Sequence, residues 1–257
     1  FGAPNKKLSE ERERHFINWL DMVEKQGSEL FLLGDLFDFW FEYKKVVPKG
    51  FIRVLGKLAA ITDSGIPIHY FVGNHDLWIK DYFEKELNIK TYFEPKDFIY
   101  NNVSFFIGHG DGLGPKDIPY KLIKKIFTNP MARRLFQILH PDLGIKLGQF
   151  LSLKNKSISG GNVMKYLGED KELLIQYSKS MLKQRNRDYF VFGHRHLPLN
   201  VKLDKNSTYI NLGDWITHFT YGVFDGKMRK YCLQFLAAPR FSVLLLAARS
   251  LIAHFEA

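Results

Sequence analysis

The sequence is poor in cysteine: Cys232 is the single one among 257 residues. An internal disulfide is therefore excluded, and such low cysteine usage fits a reducing compartment. The chain also has no run of roughly 18 apolar residues, the length that a membrane-spanning helix needs. With hydrophobic residues at 46% and charged residues at 25%, the composition is that of an ordinary globular protein.

Lysine is absent from residues 236–257, which hold six alanines, whereas residues 1–235 hold four alanines and every lysine. This change in composition predicts an atypical C-terminal tail, in which 243–246 and 251–252 are expected to form a short apolar helix.

Positive charge is also unevenly distributed along the chain. The net charge is +10, and residues 112–188 alone carry fifteen Lys or Arg against six Asp or Glu. A basic segment of this kind attracts anions such as nucleic acid, acidic lipid headgroups or a phosphorylated substrate.

Four apolar runs each end in a glycine that is followed by Asp, Asn or His. A short apolar run bounded by glycine predicts a buried strand. Sites in open α/β sheets form at the carboxyl ends of strands, so these polar side chains are expected to converge. Carboxylate, imidazole and amide groups suit divalent metals, so the motifs predict a shared metal site. In chain order they are Gly34-Asp35, Gly73-Asn74-His75-Asp76, Gly108-His109-Gly110-Asp111 and Gly193-His194-Arg195-His196.

Helical spacing of apolar residues alternates with the first strands and predicts a layered α/β fold. Ser9 is expected to cap the first helix, and 51–62 to form the second. After Asp111 the alternation stops, and only helical patterns follow. The sequence therefore predicts a core of residues 1–111 and 189–235 with a helical cap inserted at 112–188.

Several polar and aromatic residues admit a purely structural interpretation. Four aromatic residues between Phe39 and Tyr43 are expected to pack under the sheet or to line a substrate cleft. His69 lies inside a strand and is predicted to be a hydrogen-bonded core residue. Asp214 repeats the Gly-Asp pattern at Gly213, but it is predicted to be structural.

The four motifs, in this order and together with Asp38, resemble those of the calcineurin-like metallophosphoesterase superfamily. Within it, residues 34–40 and 109–113 resemble the branch that hydrolyses UDP-2,3-diacylglucosamine in lipid A biosynthesis. The resemblance implies a layered metallophosphoesterase β-sandwich flanked by helices, with a helical cap that helps to hold lipid chains. The superfamily pattern begins with Asp-x-His, which this sequence lacks. A chain that begins at Phe1 is therefore expected to be a fragment without its first strand and two metal ligands.

The resemblance also implies two divalent metal ions, with Mn²⁺ expected and Mg, Fe or Zn permitted by the residue types. Asp35 would bridge the two ions, and His196 would bind the first of them. The second ion would be held by Asn74, His109 and His194.

Other residues near the motifs are predicted to act on the substrate. His75, where some members of the branch carry arginine, would donate to the phosphate or protonate the leaving oxygen, and Asp76 would orient it. Asp38 would orient a metal ligand. The candidates for substrate binding are Asn74, Asp111, Asp117, Lys154 and Lys156, although simple solvation explains the two lysines equally well.

The function that the resemblance implies is hydrolysis of the pyrophosphate of UDP-2,3-diacylglucosamine to UMP and the acylated sugar phosphate. The expected setting is a cytoplasmic monomer, peripheral to the inner membrane, that does not act on nucleic acid. Two alternatives stay open from the residues. A nuclease or other phosphodiesterase would use the same site with a basic surface, and a non-catalytic scaffold would keep only the sheet.

Overall fold

The computed structural model describes residues 6–115, 118–159, 166–215, 218–226, 228–232 and 243–245. The helices of this part of the chain are α1 (Lys6–Gln26), α2 (Ile52–Asp63), α3 (Tyr82–Leu87), α4 (Ile118–Phe127), α5 (Pro130–Ile138), α6 (Pro141–Ser159) and α7 (Leu173–Leu182). The strands are β1 (Leu30–Leu32), β2 (Ile68–Phe71), β3 (Lys90–Tyr92), β4 (Lys96–Tyr100), β5 (Val103–Gly108), β6 (Tyr189–Phe192), β7 (Pro198–Lys202), β8 (Thr208–Leu212), β9 (Thr220–Phe224), β10 (Met228–Cys232) and β11 (Val243–Leu245).

The strands form two mixed sheets. The first has the order β10-β9-β11-β1-β2-β3, and the second has the order β4-β5-β6-β8-β7. In the first sheet β1 and β2 run parallel, as β5 and β6 do in the second. Each of these four strands leads into one of the four polar motifs.

The two sheets face each other, and their buried side chains follow the two-residue period of a strand. On β1, Leu30 and Leu32 join the cluster that contains the helix residues Phe16 and Trp19. Phe31 between them joins a second cluster, which is shared with the second sheet. Helices α1 and α2 thus cover the first sheet, and the β-sandwich lies beneath them, which confirms the predicted layered α/β fold.

Helix α7 covers the outer face of the second sheet. Its residues Leu174 and Ile175 pack against Phe106, Phe190 and Phe192, which point away from the centre of the sandwich. The sequence analysis places α7 within the inserted cap, whereas its contacts make it the fourth layer of the core. The helices α4, α5 and α6 are called the cap helices below.

Two local expectations are corrected by the structure. Ser9 lies inside α1, which begins at Lys6, so it does not cap that helix. Residues Val243–Leu245 form strand β11 between β1 and β9, rather than an apolar helix. Helical spacing and a short buried strand cannot be told apart in so brief an apolar run. The remainder of the predicted tail lies outside the described residues.

His69 is a hydrogen-bonded core residue, as predicted. Its side chain is buried, with Nε2 2.6 Å from Glu29 Oε1 and Nδ1 2.8 Å from the Tyr92 hydroxyl. In the described part of the chain, no helix has the length and hydropathy that crossing a bilayer requires.

Glu42 is a buried carboxylate that ties the loop after β1 to the start of α3. It accepts hydrogen bonds from the Trp40 indole at 3.1 Å and from the backbone N–H groups of Lys80, Asp81 and Tyr82 at 2.9, 3.0 and 3.2 Å. These backbone groups lie at the N-terminal end of α3 and just before it. N–H groups without an intrahelical acceptor favour a negative charge there.

We expect Glu42→Ala to lower the free energy of unfolding by roughly 1–3 kcal/mol, because it leaves several buried donors without an acceptor. The matched control is Glu86→Ala on the exposed side of the same helix, which is expected to change stability by less than about 0.5 kcal/mol. Urea unfolding followed by circular dichroism measures both variants. Equal midpoints for the two variants would contradict the assignment.

Candidate metal centre

The polar motifs leave their strands through backbone conformations that are rare for residues other than glycine. Asp35, His194 and His196 have φ values of 56°, 60° and 44°. Such left-handed conformations cost free energy in residues with a Cβ, and they cluster at functional sites. The strained turns direct these side chains away from the strand direction and towards one end of the sandwich.

Two glycines allow the motifs to approach one another. Gly34 has φ 79°, and a Cβ there would lie 2.6 Å from His109 Nδ1 and 2.7 Å from the Gly73 nitrogen. A Cβ on Gly73 would overlap the Asp35 carboxylate. Any side chain at either position would push the motifs apart.

Asp35, Asn74, His109 and His194 come together at this end of the sandwich. Asn74 Oδ1 lies 3.2 Å from His109 Nε2 and 3.0 Å from His194 Nδ1, and His109 Nε2 lies 3.4 Å from Asp35 Oδ2. Ligand atoms of Asp35, His109 and His194 all lie within 4.8 Å of one another. The set, called the metal cluster below, offers a carboxylate, an amide oxygen and two imidazoles, which fits a divalent cation.

The electrostatics of the metal cluster favour a cation. Burial raises the pKa of Asp35, but the His109 and His75 rings outweigh burial and hold this pKa well below its usual range. Burial lowers the pKa of His109, whereas Asp35 raises it more strongly, to about 9. Burial and the neighbouring His109 lower the pKa of His194 to about 4. A divalent ion would replace the proton on His109 as the partner of the Asp35 charge.

Asp76 has a different position from the one that the sequence suggests. It is fully buried, and its carboxylate accepts hydrogen bonds from the backbone N–H groups of Leu36 at 3.0 Å and Gly73 at 2.6 Å and from the Tyr70 hydroxyl. Burial and the negative charge of Asp35 raise the pKa of Asp76 to about 7. Asp76 therefore joins the first two motifs to each other instead of orienting His75.

His75 is placed by the first motif. Its backbone N–H donates to Asp35 Oδ1 at 2.9 Å, and its ring Nδ1 lies 3.2 Å from the Asp38 carbonyl oxygen. Because a carbonyl only accepts, this contact puts a hydrogen on Nδ1 and fixes the ring. Asp38 thus contacts the His75 ring through its backbone carbonyl. The predicted role of Asp38 in orienting a metal ligand stays a prediction.

His196 is not part of the set of Asp35, His109 and His194, whose ligand atoms all lie within 4.8 Å of one another. Its Nδ1 is 3.7 Å from Oδ2 of the buried Asp214. Asp214 Oδ1 also accepts from the backbone N–H of His218 at 3.0 Å and lies 3.2 Å from its ring Nδ1. Asp214 has the structural surroundings predicted for it, while the predicted role of His196 at a first metal ion stays a prediction.

Asp111 is directed towards the cap helices rather than towards open solvent. Its Oδ2 accepts a hydrogen bond from the Tyr120 hydroxyl at 2.7 Å and lies 2.8 Å from Lys124 Nζ. Burial raises the pKa of Asp111, but the charges of His109 and Lys124 outweigh burial and lower it. With its carboxylate engaged in this way, Asp111 holds α4 against the third motif. The predicted contact of Asp111 with substrate stays a prediction.

The structure gives fewer contacts for the other residues that were predicted to bind substrate. Asn74 is part of the metal cluster and also lines a cleft beside it. Asp117 lies outside the described residues. Lys154 and Lys156 lie on α6, but their side chains are outside the described part of the chain.

An apolar cleft of about 100 Å³ adjoins the metal cluster at Asn74 and His75. Of the loop aromatics, Phe39 and Trp40 line this cleft, and Trp40 and Phe41 are buried in the core. The expected core packing therefore holds for two of them, and the use of the cleft by substrate stays a prediction. Asp38 lines the cleft beside these aromatic residues, and the rest of its wall comes from the loop after β2 and from the cap helices. These residues are Leu77, Trp78, Tyr120, Ile123, Lys124, Phe127, Gly148 and Leu151.

Three contacts of the cap helices were missed by the sequence analysis. The Trp78 indole donates to the Phe127 carbonyl, and Arg133 donates to the Leu77 carbonyl at 2.7 Å. Tyr120 and Lys124 both contact the Asp111 carboxylate. One signal was available, since Tyr120 and Lys124 are four residues apart and so lie on one face of a helix. Nothing in the local sequence indicates the backbone contacts of Trp78 and Arg133.

The sandwich, the four strand-end motifs and the metal cluster define a metallophosphoesterase. The family model described as calcineurin-like phosphoesterase matches residues 10–198, and the chain belongs to this family. Membership implies divalent metal ions at the cluster.

Curated relatives carry a more specific name. The UDP-2,3-diacylglucosamine hydrolase of Porphyromonas gingivalis is 35% identical over 228 residues, which cover 83% of this chain and 86% of the relative. Proteins of the same name from Proteus mirabilis and Vibrio parahaemolyticus are each 26% identical, and each alignment covers 79% of this chain and 83% of the relative. These names agree with the branch that the motifs resemble.

Proposed function

We propose that this protein hydrolyses the pyrophosphate bond of UDP-2,3-diacylglucosamine, releasing UMP and 2,3-diacylglucosamine 1-phosphate for lipid A biosynthesis. The observation that carries the proposal is the contact between the metal cluster and the apolar cleft, which share Asn74. A phosphoryl group at the cluster would thus have an apolar surface beside it. The names of the relatives support the same substrate.

The cofactors are two divalent ions, Mn²⁺ by preference. When bound, such ions supply an activated water and a positive clamp for the phosphoryl oxygens. Asp35 contributes a negatively charged metal ligand, and Asn74, His109 and His194 contribute neutral metal ligands. His196, next to Asp214, is the further ligand.

His75 acts on the leaving group of the reaction. When water attacks the phosphorus and the pyrophosphate P–O bond breaks, the leaving phosphate oxygen takes up negative charge. The His75 ring, held by the Asp38 carbonyl, donates a hydrogen bond or a proton to this oxygen from the edge of the apolar cleft. General acid catalysis of this kind contributes about 10²–10⁴-fold to the rate.

The direct test is release of UMP by the Mn²⁺-loaded protein. We expect turnover of UDP-2,3-diacylglucosamine with a kcat/KM at least about 100-fold above that of UDP-N-acetylglucosamine, because a few buried methylenes at about 0.8 kcal/mol each supply this difference. Chelation by EDTA should abolish turnover, and Mn²⁺ should restore it. Cleavage of single-stranded DNA without pyrophosphate turnover would instead establish the nuclease alternative.

The cap helices also expose an apolar surface. Twelve of the eighteen exposed large hydrophobic residues in the described chain lie between Ile118 and Leu151. Lys121, Lys125, Arg134 and Lys146 are exposed among them. Apolar side chains interleaved with cations fit an anionic membrane. In this proposal the protein works as a monomer at the cytoplasmic surface of the inner membrane, and acyl chains extend from the small apolar cleft onto the cap helices. The exposed apolar and basic residues support the membrane contact.

Charge reversal tests this membrane surface. Replacing Lys125, Arg134 and Lys146 by Glu is expected to weaken binding to vesicles with anionic lipids by about 100-fold, because each cation contributes about 1 kcal/mol. The control replaces the exposed Lys80, Lys90 and Lys202 by Glu, which changes the net charge equally outside the cap helices. Cosedimentation with vesicles and a parallel DNA-binding assay measure both sets. Unchanged vesicle binding together with lost DNA binding would favour the nuclease.

A further inference from the structure

The fourth motif carries an arginine between two histidines that are candidate metal ligands. His194 and His196, on either side of Arg195, both have left-handed backbone conformations, with φ 60° and 44°. This conformation costs free energy in residues with a Cβ, so it persists only where the surroundings hold it. Strand β6 ends at Phe192. The loop 193–196 therefore lies beyond the regular strand and depends on other contacts for its conformation.

The Arg195 side chain makes a two-point contact with Glu172. Its Nε lies 2.8 Å from Glu172 Oε2, and its Nη2 lies 3.0 Å from Oε1. Two charge-assisted hydrogen bonds of this kind fix a planar guanidinium in direction as well as in distance. Glu172 is buried, so solvent screens the ion pair only weakly. The pair therefore restrains the loop more firmly than an exposed ion pair would.

Glu172 is itself held in place by the core. It lies at the N-terminal cap of α7, where a negative charge is favoured, and its Oε1 also accepts a hydrogen bond from the Leu167 backbone N–H at 3.3 Å. On the same helix, Leu174 and Ile175 pack against the second sheet. The ion pair thus connects the loop 193–196 to the helix that covers this sheet.

Other contacts of the loop place His194 in the metal cluster. The Gly193 backbone N–H donates to the His109 carbonyl at 3.0 Å, which fixes the start of the loop. At the other end of the imidazole side chain, His194 Nδ1 lies 3.0 Å from Asn74 Oδ1. Arg195 restrains the backbone that follows His194, and the direction of the imidazole depends on that backbone.

We infer that Arg195 and Glu172 are positioning residues for the metal cluster, which keep His194 in place to bind a divalent ion. The guanidinium Nε and Nη2 face Glu172, whose carboxylate balances the positive charge, so the pair acts on the loop. Residues that orient a metal ligand typically contribute about 10–100-fold to metal affinity. The inference goes beyond the proposed function, because it concerns the bound ion and holds for any phosphate ester that the protein hydrolyses.

Replacing the ion pair by apolar residues tests the inference. Arg195→Met combined with Glu172→Met roughly keeps the volume and leaves no buried charge alone, a change that is often neutral for folding. We expect this double variant of the full chain to bind Mn²⁺ about 10–100-fold more weakly than the wild type. Arg195→Lys keeps the charge but loses the planar fork, and we expect it to bind Mn²⁺ about three- to tenfold more weakly. Calorimetry and electron paramagnetic resonance of free Mn²⁺ measure both.

The matched control is the pair Arg187 and Asp97 at the opposite end of β6. Arg187 also binds its carboxylate partner through Nε and Nη2, but it precedes the strand, whereas Arg195 follows it. Arg187→Met combined with Asp97→Met is expected to leave Mn²⁺ affinity within about twofold of the wild type.

Circular dichroism shows whether the Arg195→Met, Glu172→Met double variant is folded, and Arg195→Lys decides the test if it is not. Wild-type Mn²⁺ affinity in the deciding variant, or an equal loss of affinity in the control, would overturn the inference. Neither result bears on the proposed function, which fails if the Mn²⁺-loaded wild type leaves UDP-2,3-diacylglucosamine intact.

Discussion

Asp35→Asn is expected to remove most of the bound metal and to lower turnover of UDP-2,3-diacylglucosamine by more than about 100-fold. Asp35 is the carboxylate of the metal cluster and is 8% exposed. Divalent ions buried beside neutral imidazole and amide donors need this negative charge. Loss of a residue that merely supports a metal ligand typically costs about 10–100-fold, and loss of the charged ligand itself should cost more.

Asparagine is the informative substitute because it changes the charge with little change in shape. It tolerates the left-handed backbone that Asp35 adopts with φ 56°, and its amide oxygen still accepts a hydrogen bond from the His75 nitrogen. The control is Asp63→Asn, the same replacement at an exposed residue at the end of α2. Metal content by mass spectrometry, together with kcat, measures the effect. Full metal content with normal turnover in Asp35→Asn would refute the assignment of the cluster.

His75→Ala is expected to lower kcat by about 10²–10⁴-fold while metal content stays at the wild-type level. The physical reason is that the His75 ring contacts the Asp38 carbonyl and the cleft rather than joining the three ligand atoms of Asp35, His109 and His194. Its removal therefore takes away a donor to the leaving oxygen without taking away a ligand.

A second variant separates proton donation from phosphate binding. His75→Arg keeps a cationic donor, but the guanidinium does not give up its proton. Restored kcat in His75→Arg would show that binding the phosphate is sufficient, whereas a kcat as low as that of His75→Ala would show that a proton is transferred. Metal loss in His75→Ala, with normal activity per bound ion, would make His75 a ligand and reverse the assignment.

The sequence predicted the convergence of the four motifs because the relevant signals are local. An apolar run that ends in glycine identifies a strand and its end, and parallel strands bring such ends to one edge. Asp35, Asn74, His109 and His194 therefore lie together as the spacing indicates. The alternation of side chains between the two faces of β1 is likewise a local property.

The roles of neighbouring acidic residues depended on contacts between distant parts of the chain. Asp76 follows His75 directly, yet it binds the Tyr70 hydroxyl and the Leu36 nitrogen. Asp111 follows His109 by two residues, yet it binds Tyr120 and Lys124 on α4. A carboxylate next to a motif looks the same in the sequence whether it faces a substrate or a buried donor.

The sequence by itself therefore determined the layered α/β arrangement, the strand ends and the residue types that meet there, because apolar periodicity and glycine act over a few residues. Only the tertiary structure decided that Asp76 joins two motifs, that Glu42 holds α3, that α7 belongs to the core and that an apolar cleft opens beside the metal cluster. These features arise from burial and from partners far apart in the chain, and the direction of a side chain depends on the backbone conformation that such packing imposes.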